Sequence, residues 1–551
     1  MPSDVALASS RRRREHLAPL PRAGGAGPSR RDGRRGRAFR ASGAGRVWTW
    51  LTAGAVLLGT VLRLWTYLDR RSLWLDEAYV SDNVVNRSWP GLLRPLAHDQ
   101  GAPVGWLVLQ KIAVTVLGPN EFALRLVPLL SGVLLLVVLW DLARRVLPPA
   151  LVPVVVLAAA ISPQLVYFSS EAKQYEFEAL VVLLLVDAAL VLALRAPGEV
   201  SWRLAGAWGV LAVGSVLGSH LANPVVAVLG VLLVAVRLRD GDRAGVRRLV
   251  VVTGGVLLVQ ATLYFALLRT LSDSDYLRRY WKNGFPPDPL DPGSLAGWLG
   301  RTAVSVVRDP LGLAPVALVL ALLALGVVGL VRAGRRAAAL CLAPVVATLA
   351  ASVVGLYPSR NRLVLALVPV LLVVLVAAGA LVRGRLQAVV GVGLVVLTVT
   401  GAARTAGDVV WRPEDLRGPL EQLADRRGAG DLVLVDRGAE VQYQLYAPEL
   451  GLPPAVRVLP PLRGCPTVAS SLATAGSTVW YVSAHRFTAR QREPDVVRAR
   501  LAARGDAIAT FAGESIRNSE ITGYRLRQDL AAPVAGACLL YEPTRPFDSP
   551  P

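Results

Sequence analysis

From about residue 47 to residue 403, long apolar runs alternate with short breaks rich in arginine, and after residue 407 the pattern changes character. A bilayer hydrocarbon core of about 30 Å takes roughly 20 apolar residues per helix. By that measure the runs at 47–68, 122–143, 149–169, 176–195, 202–219, 221–236, 249–270, 311–331, 337–357, 361–382 and 386–403 predict about eleven transmembrane helices. The run at 103–117 is shorter and is interrupted by Gln110 and Lys111, so it predicts an interfacial or re-entrant helix. Past residue 407, apolar positions recur at the periods of a soluble protein. Helices are predicted at 413–427, 439–446 and 494–504, and strands at 431–436, 456–459 and 479–483. That alternation predicts a small α/β domain at 408–551. The expected fold is thus a polytopic all-α membrane domain at 47–407 carrying a C-terminal extracytoplasmic α/β domain.

Composition agrees with the pattern. With 53% hydrophobic residues among 551 and a mean hydropathy of +0.47, the chain is no ordinary soluble multidomain protein. Its net charge of +21 would suit a nucleic-acid partner, but the arginines are placed otherwise. Twelve lie between Arg11 and Arg46, in a stretch rich in Gly, Ser, Pro and Ala, and most others fall in short breaks between apolar runs. This predicts a disordered basic tail at 1–46 held near anionic membrane lipids, and no nucleic-acid binding. The tail is not a cleavable signal peptide, because the first apolar run is long enough to span.

Placing the tail in the cytoplasm puts Arg144-Arg145 and the basic breaks at 237–248, 332–336 and 383–385 on the same side, as the positive-inside bias requires. Counting 103–117 as a span would move all four clusters outside. The loops at 69–121, 271–310 and 357–362, and the C-terminal domain, then face outwards from a multi-pass protein of the cell membrane. Cys465 and Cys538 fall in that domain, where an oxidising environment favours a disulfide over two buried thiols. Cys341 lies inside a span and reads as a small core residue.

Candidate chemistry gathers on the outer side. The first outer loop carries Trp74-Leu75-Asp76-Glu77-Ala78-Tyr79 and then His98-Asp99. Three carboxylates and an imidazole at a membrane surface can converge on lipid-borne substrates, and an apolar wall raises a carboxyl towards general-base duty. The bland alternative is that loop acids face water. Between the third and fourth spans stand Glu171, Lys173 and Tyr175; Glu171 and Tyr175 share a helical face, and Lys173 can meet a lipid phosphate or snorkel to the interface. Arg360 and Arg362, in Tyr357-Pro358-Ser359-Arg360-Asn361-Arg362, break the positive-inside rule and so need an anionic partner, a lipid phosphate or outer-loop acids such as Asp76 and Asp99. Glu178, Asp187 and Gln260 within spans are expected to face the bundle, and His220 with Asn223 and Pro224 reads as a structural turn.

The strings "RLW…SLWLDEAYV", "DQGAPVGWLVLQKIAVTVLGPNEFALRLVPLLSG", "SPQLVYFSSEAKQYEFEALV" and "LYPSRNRLVLALVPVLL" resemble the polytopic glycosyltransferases of the GT-C superfamily. The likeness is to the bacterial branch related to protein mannosyltransferases and to the aminoarabinose transferase of lipid A, and it covers roughly residues 47–403. It implies transfer of a sugar from a polyprenyl-phosphate donor to an acceptor on the outer face, with inversion by direct attack. It also suggests that Asp76 is the general base and that Glu77 and Asp99 orient the acceptor or support the developing charge, with His98 nearby; Lys173, Arg360 and Arg362 are the candidates to hold the donor phosphate, with Glu171 and Tyr175 beside them. Relatives often carry His-Pro-Pro after the acid of the first loop; here the text is Asp99-Gln100-Gly101-Ala102-Pro103, which leaves the acceptor open among protein, glycolipid and wall polysaccharide. Some members use a divalent metal and others do not, and the metal stays unassigned. Two rivals remain: a lipid or glycan transporter or flippase, and an outer-face polysaccharide polymerase or ligase. Against the transporter, hydropathy spacing shows no repeat, and most polar residues gather at one face.

Overall fold

The computed structural model of the chain describes residues 43–268, 275–408, 412–459, 475–485, 493–513, 519–527 and 540–543. Most of the predicted tail, with Cys465 and Cys538, lies outside the described residues. The chain divides into two compact units, Met1–Val47 and Trp48–Pro551, so the sheet domain belongs to the same unit as the membrane helices.

In the membrane part the helices run α1 (Gly43–Leu68), α2 (Leu75–Asn86), α3 (Val104–Leu117), α4 (Glu121–Val146), α5 (Val152–Ala160), α6 (Pro163–Phe168), α7 (Tyr175–Ala193), α8 (Trp202–Gly218), α9 (Ala222–Arg239) and α10 (Arg243–Leu263). After the short α11 (Asp275–Tyr280) and the amphipathic α12 (Pro292–Arg308) come α13 (Val316–Ala333), α14 (Arg335–Val353), α15 (Val368–Ala377) and α16 (Arg385–Asp408). A 3-10 turn, Asn361–Leu367, leads into α15. Eight helices among the described residues are long and apolar enough to cross a membrane. The other three predicted spans fall short for separate reasons. The run at 149–169 is broken by Ser162-Pro163 into α5 and α6, α7 carries Glu176, Glu178 and Asp187, and α8 has 17 residues. The run at 103–117 forms α3, whose 14 residues reach about 21 Å, less than a bilayer core.

The bundle closes around α4, α5, α7, α9, α14 and α15, whose Leu, Val and Ala side chains form one continuous core. Helices α13 and α15 approach so closely that a Cβ on Gly326 would lie 1.7 Å from the Val374 carbonyl oxygen. Only glycine permits that contact. Inside the bundle, Arg63 on α1 lies 3.7 Å from Glu176 on α7, both fully buried. Three of the basic breaks meet at one end. Arg145 pairs with Asp187 at 3.1 Å, Arg237 donates to the carbonyls of Leu192, Ala193 and Arg195 that end α7, and Arg336 pairs with Asp240.

The sheet domain contains α17 (Arg417–Arg426), β1 (Leu432–Val435), α18 (Glu440–Tyr446), β2 (Val456–Leu459), β3 (Thr478–Ser483), α19 (Glu493–Arg504), β4 (Gly505–Ala512), β5 (Glu520–Leu526) and β6 (Leu540–Pro543). Its order is β4-β5-β3-β1-β2-β6, with β1 parallel to β2 and β3 and the flanking strands antiparallel. The predicted α/β pattern is present, with the late strands adding an antiparallel half. The domain seats on the segment between α1 and α4 and shares a core with it that includes Leu73, Val80, Trp106, Leu416, Leu420 and Tyr443. Hydrogen bonds fix the seat. Leu73 N donates to the Tyr446 hydroxyl at 2.7 Å, Gln442 Nε2 donates to Leu73 O at 2.8 Å, and the Ser72 hydroxyl accepts from Leu416 N and Arg417 N, both at 3.2 Å. Ser72 thereby caps the start of α17 from another segment of the chain.

Candidate active site

Asp76 and Glu77 sit in the first turn of α2, where carboxylates favour the exposed backbone N–H groups. Their side chains leave the helix in different directions. Glu77 is fully buried and held by Arg125 on α4, with Nε at 3.0 Å and Nη2 at 2.9 Å, while Ala172 N donates to it at 2.7 Å. Burial disfavours its charge, but Arg125 and Arg71 outweigh that and hold its carboxyl below the usual range.

Asp76 instead faces a cavity of about 890 Å³. Lys173 Nζ lies 3.1 Å from one of its oxygens and Arg362 Nη2 lies 2.9 Å from the other. Burial opposes its ionisation, yet the Lys173 ammonium and the Arg362 guanidinium keep the carboxyl below its ordinary range. Lys173 also donates to Gln100 Oε1 at 2.8 Å, and burial, partly offset by Asp76, lowers its pKa. Three rings surround the Arg362 guanidinium: Tyr175 at 5.5 Å, Trp281 at 5.8 Å and Trp74 at 5.9 Å from their centroids. Such a cage supports a cation while leaving its N–H groups to bond in their own plane.

His98 and Asp99 line the same cavity in consecutive left-handed conformations, φ 61° and 52°. Non-glycine residues hold that region only when their surroundings enforce it. Here Tyr79 stacks on the His98 ring at 4.4 Å, Asp82 Oδ2 lies 3.2 Å from His98 Nε2, and Asn83 Oδ1 accepts from Ala97 N at 2.9 Å.

The cavity therefore brings together Asp76, His98, Asp99, Lys173, Tyr175 and Arg362, out of the residues singled out by sequence. Three others stand apart from its lining. Glu77 is spent on Arg125 and Ala172. Glu171 is buried behind Trp74, whose indole N–H donates to it at 3.1 Å, and burial together with the Glu77 charge pushes its carboxyl up to about 7. Arg360 lines a neighbouring polar cavity of about 380 Å³ with Gln164 and Asp309, and Arg362, Tyr280 and Trp281 belong to both walls.

Sequence reasoning missed several contributors. Tyr280 and Trp281 come from the loop at 271–310, where an aromatic pair beside Arg278 and Arg279 was the available signal. Glu178, His220, Asn223 and Gln260, read as structural, form a polar part of the wall. Gln260 Nε2 donates to Asn223 O at 2.7 Å, Glu178 accepts from His220 N at 3.0 Å, and burial pushes the His220 imidazole down to about 4, so it is neutral. His485 enters from the sheet domain, 409 positions from Asp76 in sequence (485 − 76), and no local pattern marks it. Among the described residues no group of three or more His, Cys, Asp or Glu side chains could hold a metal ion, and Asp76 already faces two cations.

Residues 101–265 match the family described as dolichyl-phosphate-mannose-protein mannosyltransferase. No curated protein sequence matches the chain. Among solved structures, the chain is similar to ArnT from Cupriavidus metallidurans bound to undecaprenyl phosphate, with 15% identity, 87% of this chain and 98% of that one covered, and a TM-score of 0.49. It is also similar to the archaeal oligosaccharyltransferase AglB from Archaeoglobus fulgidus in complex with an inhibitory peptide and a dolichol-phosphate, with 13% identity, 91% and 76% covered, and a TM-score of 0.43.

Proposed function

We propose that this chain, a relative of the GT-C membrane glycosyltransferases in the branch of the protein mannosyltransferases, transfers a sugar from a polyprenyl-phosphate donor to an acceptor hydroxyl on the outer face of the cell membrane. One observation carries the reading: Asp76 stands between Lys173 and Arg362 in the wall of a cavity large enough for a sugar phosphate. A carboxylate beside two cations is what proton removal and phosphate departure require together.

In the proposed reaction the acceptor oxygen attacks the anomeric carbon as the carbon–oxygen bond to phosphate breaks. The acceptor proton passes to Asp76, polyprenyl phosphate leaves with the bonding electron pair, and the anomeric configuration inverts. Lys173 and Arg362 take the phosphate charge. Drawing them towards the phosphate removes counter-charge from Asp76, which makes it a stronger base only when donor is bound. Leu257, Ala261 and Phe265 of the α10 segment line the apolar flank; Phe265 is 71% exposed, which suits entry of a prenyl chain from the bilayer. His98 and Asp99 sit on the acceptor side, and Glu77 acts indirectly by fixing the turn that aims Asp76. The likeness to a mannosyltransferase family supports a hexosyl donor. The outward orientation rests on the basic breaks meeting at the opposite end of the bundle.

The test is transfer by the reconstituted full chain from a panel of polyprenyl-phosphate sugars, with Asp76→Asn beside wild type. The variant is expected to lose about 10²- to 10⁴-fold in rate, the usual contribution of a positioned base. Undiminished transfer would remove Asp76 as the base. Lipid translocation without transfer would favour the transporter.

A further inference from the structure

We propose that the sheet domain completes the active site, with His485, held by Glu414, hydrogen-bonding the hydroxyl-bearing acceptor opposite Asp76. This rests on the transferase reading and adds to it the residue that receives the acceptor from the aqueous side.

His485 follows the C-terminal end of β3, two residues beyond Ser483. Strands β1 and β3 are parallel neighbours at the centre of the sheet, and the carboxyl ends of parallel strands are where open α/β sheets present ligand-binding residues. The chain there is forced into an uncommon shape. His485 has φ 63°, and the turn after β1 is packed so tightly beneath it that a Cβ on Gly438 would lie 2.4 Å from the Ala484 carbonyl oxygen. A left-handed histidine persists only where its surroundings over-determine it, and such positions cluster at binding sites.

Glu414 supplies much of that determination. It is 1% exposed and bonds His485 Nδ1 through one carboxylate oxygen. Its other oxygen accepts from Leu75 N at 2.8 Å and from Gln442 Nε2 at 2.7 Å. Leu75 is the residue before Asp76, so a single buried carboxylate registers the histidine of one domain against the base of the other. A carboxylate on Nδ1 fixes the ring orientation and directs its opposite edge. Here the ring lines the same cavity as Asp76.

Chemistry separates acceptor from donor. The donor's phosphate is anionic and lipid-anchored, and its cations, Lys173 and Arg362, come from the loops that join membrane helices. His485 arrives from the sheet domain, away from the loops that carry the donor's cations, and its ring nitrogen offers a hydrogen bond suited to a hydroxyl. Glu414 is then a positioning residue, acting through the imidazole.

The experiment uses the full chain in liposomes, the panel donor with highest turnover, and a cell-envelope fraction as acceptor. Transfer to the envelope fraction, sugar released to water and binding of undecaprenyl phosphate are measured for wild type, His485→Ala and His485→Gln. The alanine variant is expected to need about tenfold or more acceptor for half-maximal rate, the size of one lost hydrogen bond in a desolvated site. Its donor KM, hydrolysis and undecaprenyl phosphate affinity should stay within about twofold of wild type, and the glutamine variant should recover part of the loss because its amide can still bond a hydroxyl. Should alanine abolish lipid binding, and so the fold, glutamine carries the test through the same acceptor-against-donor split. Unchanged transfer, or equal loss on the acceptor and donor sides, overturns the assignment of His485 while leaving the transferase reading in place. A wild type that neither transfers nor hydrolyses any donor overturns both.

Discussion

Adjacent residues on a helix point about 100° apart, and that rotation separates the two acids of the first outer loop: Asp76 reaches the cavity and Glu77 reaches Arg125. Sequence marked the pair together because spacing cannot say which member meets a guanidinium from another helix. Glu171 was likewise visible as a polar break between apolar runs, but its burial behind Trp74 was not. Its carboxyl, raised from 4.5 to about 7 by burial and by Glu77, makes a testable pH statement. A carboxyl with a raised folded pKa binds its proton more tightly in the folded state. Its stabilising contribution is therefore complete below pH 4.5 and is lost as pH rises to about 7. Glu171→Gln should remove that dependence: its thermal unfolding midpoint should change less than that of wild type between pH 4.5 and 8, and should lie above wild type at pH 8. A parallel dependence in the two proteins would contradict this.

Between elements, the junction of α2 with α4 rests on the Glu77–Arg125 pair, which also ties down the Arg71 carbonyl at 2.6 Å. Removing one partner of a buried pair leaves an uncompensated charge. Arg125→Met is expected to lower stability by about 3–5 kcal/mol, and adding Glu77→Leu should restore much of it. Thermal unfolding of the single and double variants checks this, and a double variant no better than the single would show that the pair does more than neutralise itself. The breaks within predicted spans belong to this scale too. Ser162-Pro163 divides the run at 149–169 into α5 and α6, a break that the uniform apolarity of the run concealed.

For the whole molecule, the contacts of Arg145 with Asp187, of Arg237 with the end of α7 and of Arg336 with Asp240 gather three of the basic breaks away from Asp76. With the cavity facing outwards, a cysteine in place of Asp288 should be labelled by an impermeant maleimide on intact cells, whereas one in place of Arg243 should be labelled only after permeabilisation. Both positions are exposed, and the variants are made in a chain whose three natural cysteines are replaced. The reverse pattern would invert the topology and remove the outer-face reaction.

Hydrophobic runs and arginine placement were enough to specify a polytopic membrane protein with an α/β domain after it, because helix length and charge bias are local, additive properties of sequence. The polar strings around Asp76, Lys173 and Arg362 were also local, and one cavity brings these three residues together. Which carboxylate faces the cavity, which cations meet it and which residues the sheet domain adds depended on contacts across 97 residues between Asp76 and Lys173 (173 − 76), 286 between Asp76 and Arg362 (362 − 76) and 71 between Glu414 and His485. Those pairings follow from packing, which sets the distances and the dielectric that decide a charge's role, so only the folded chain could make them.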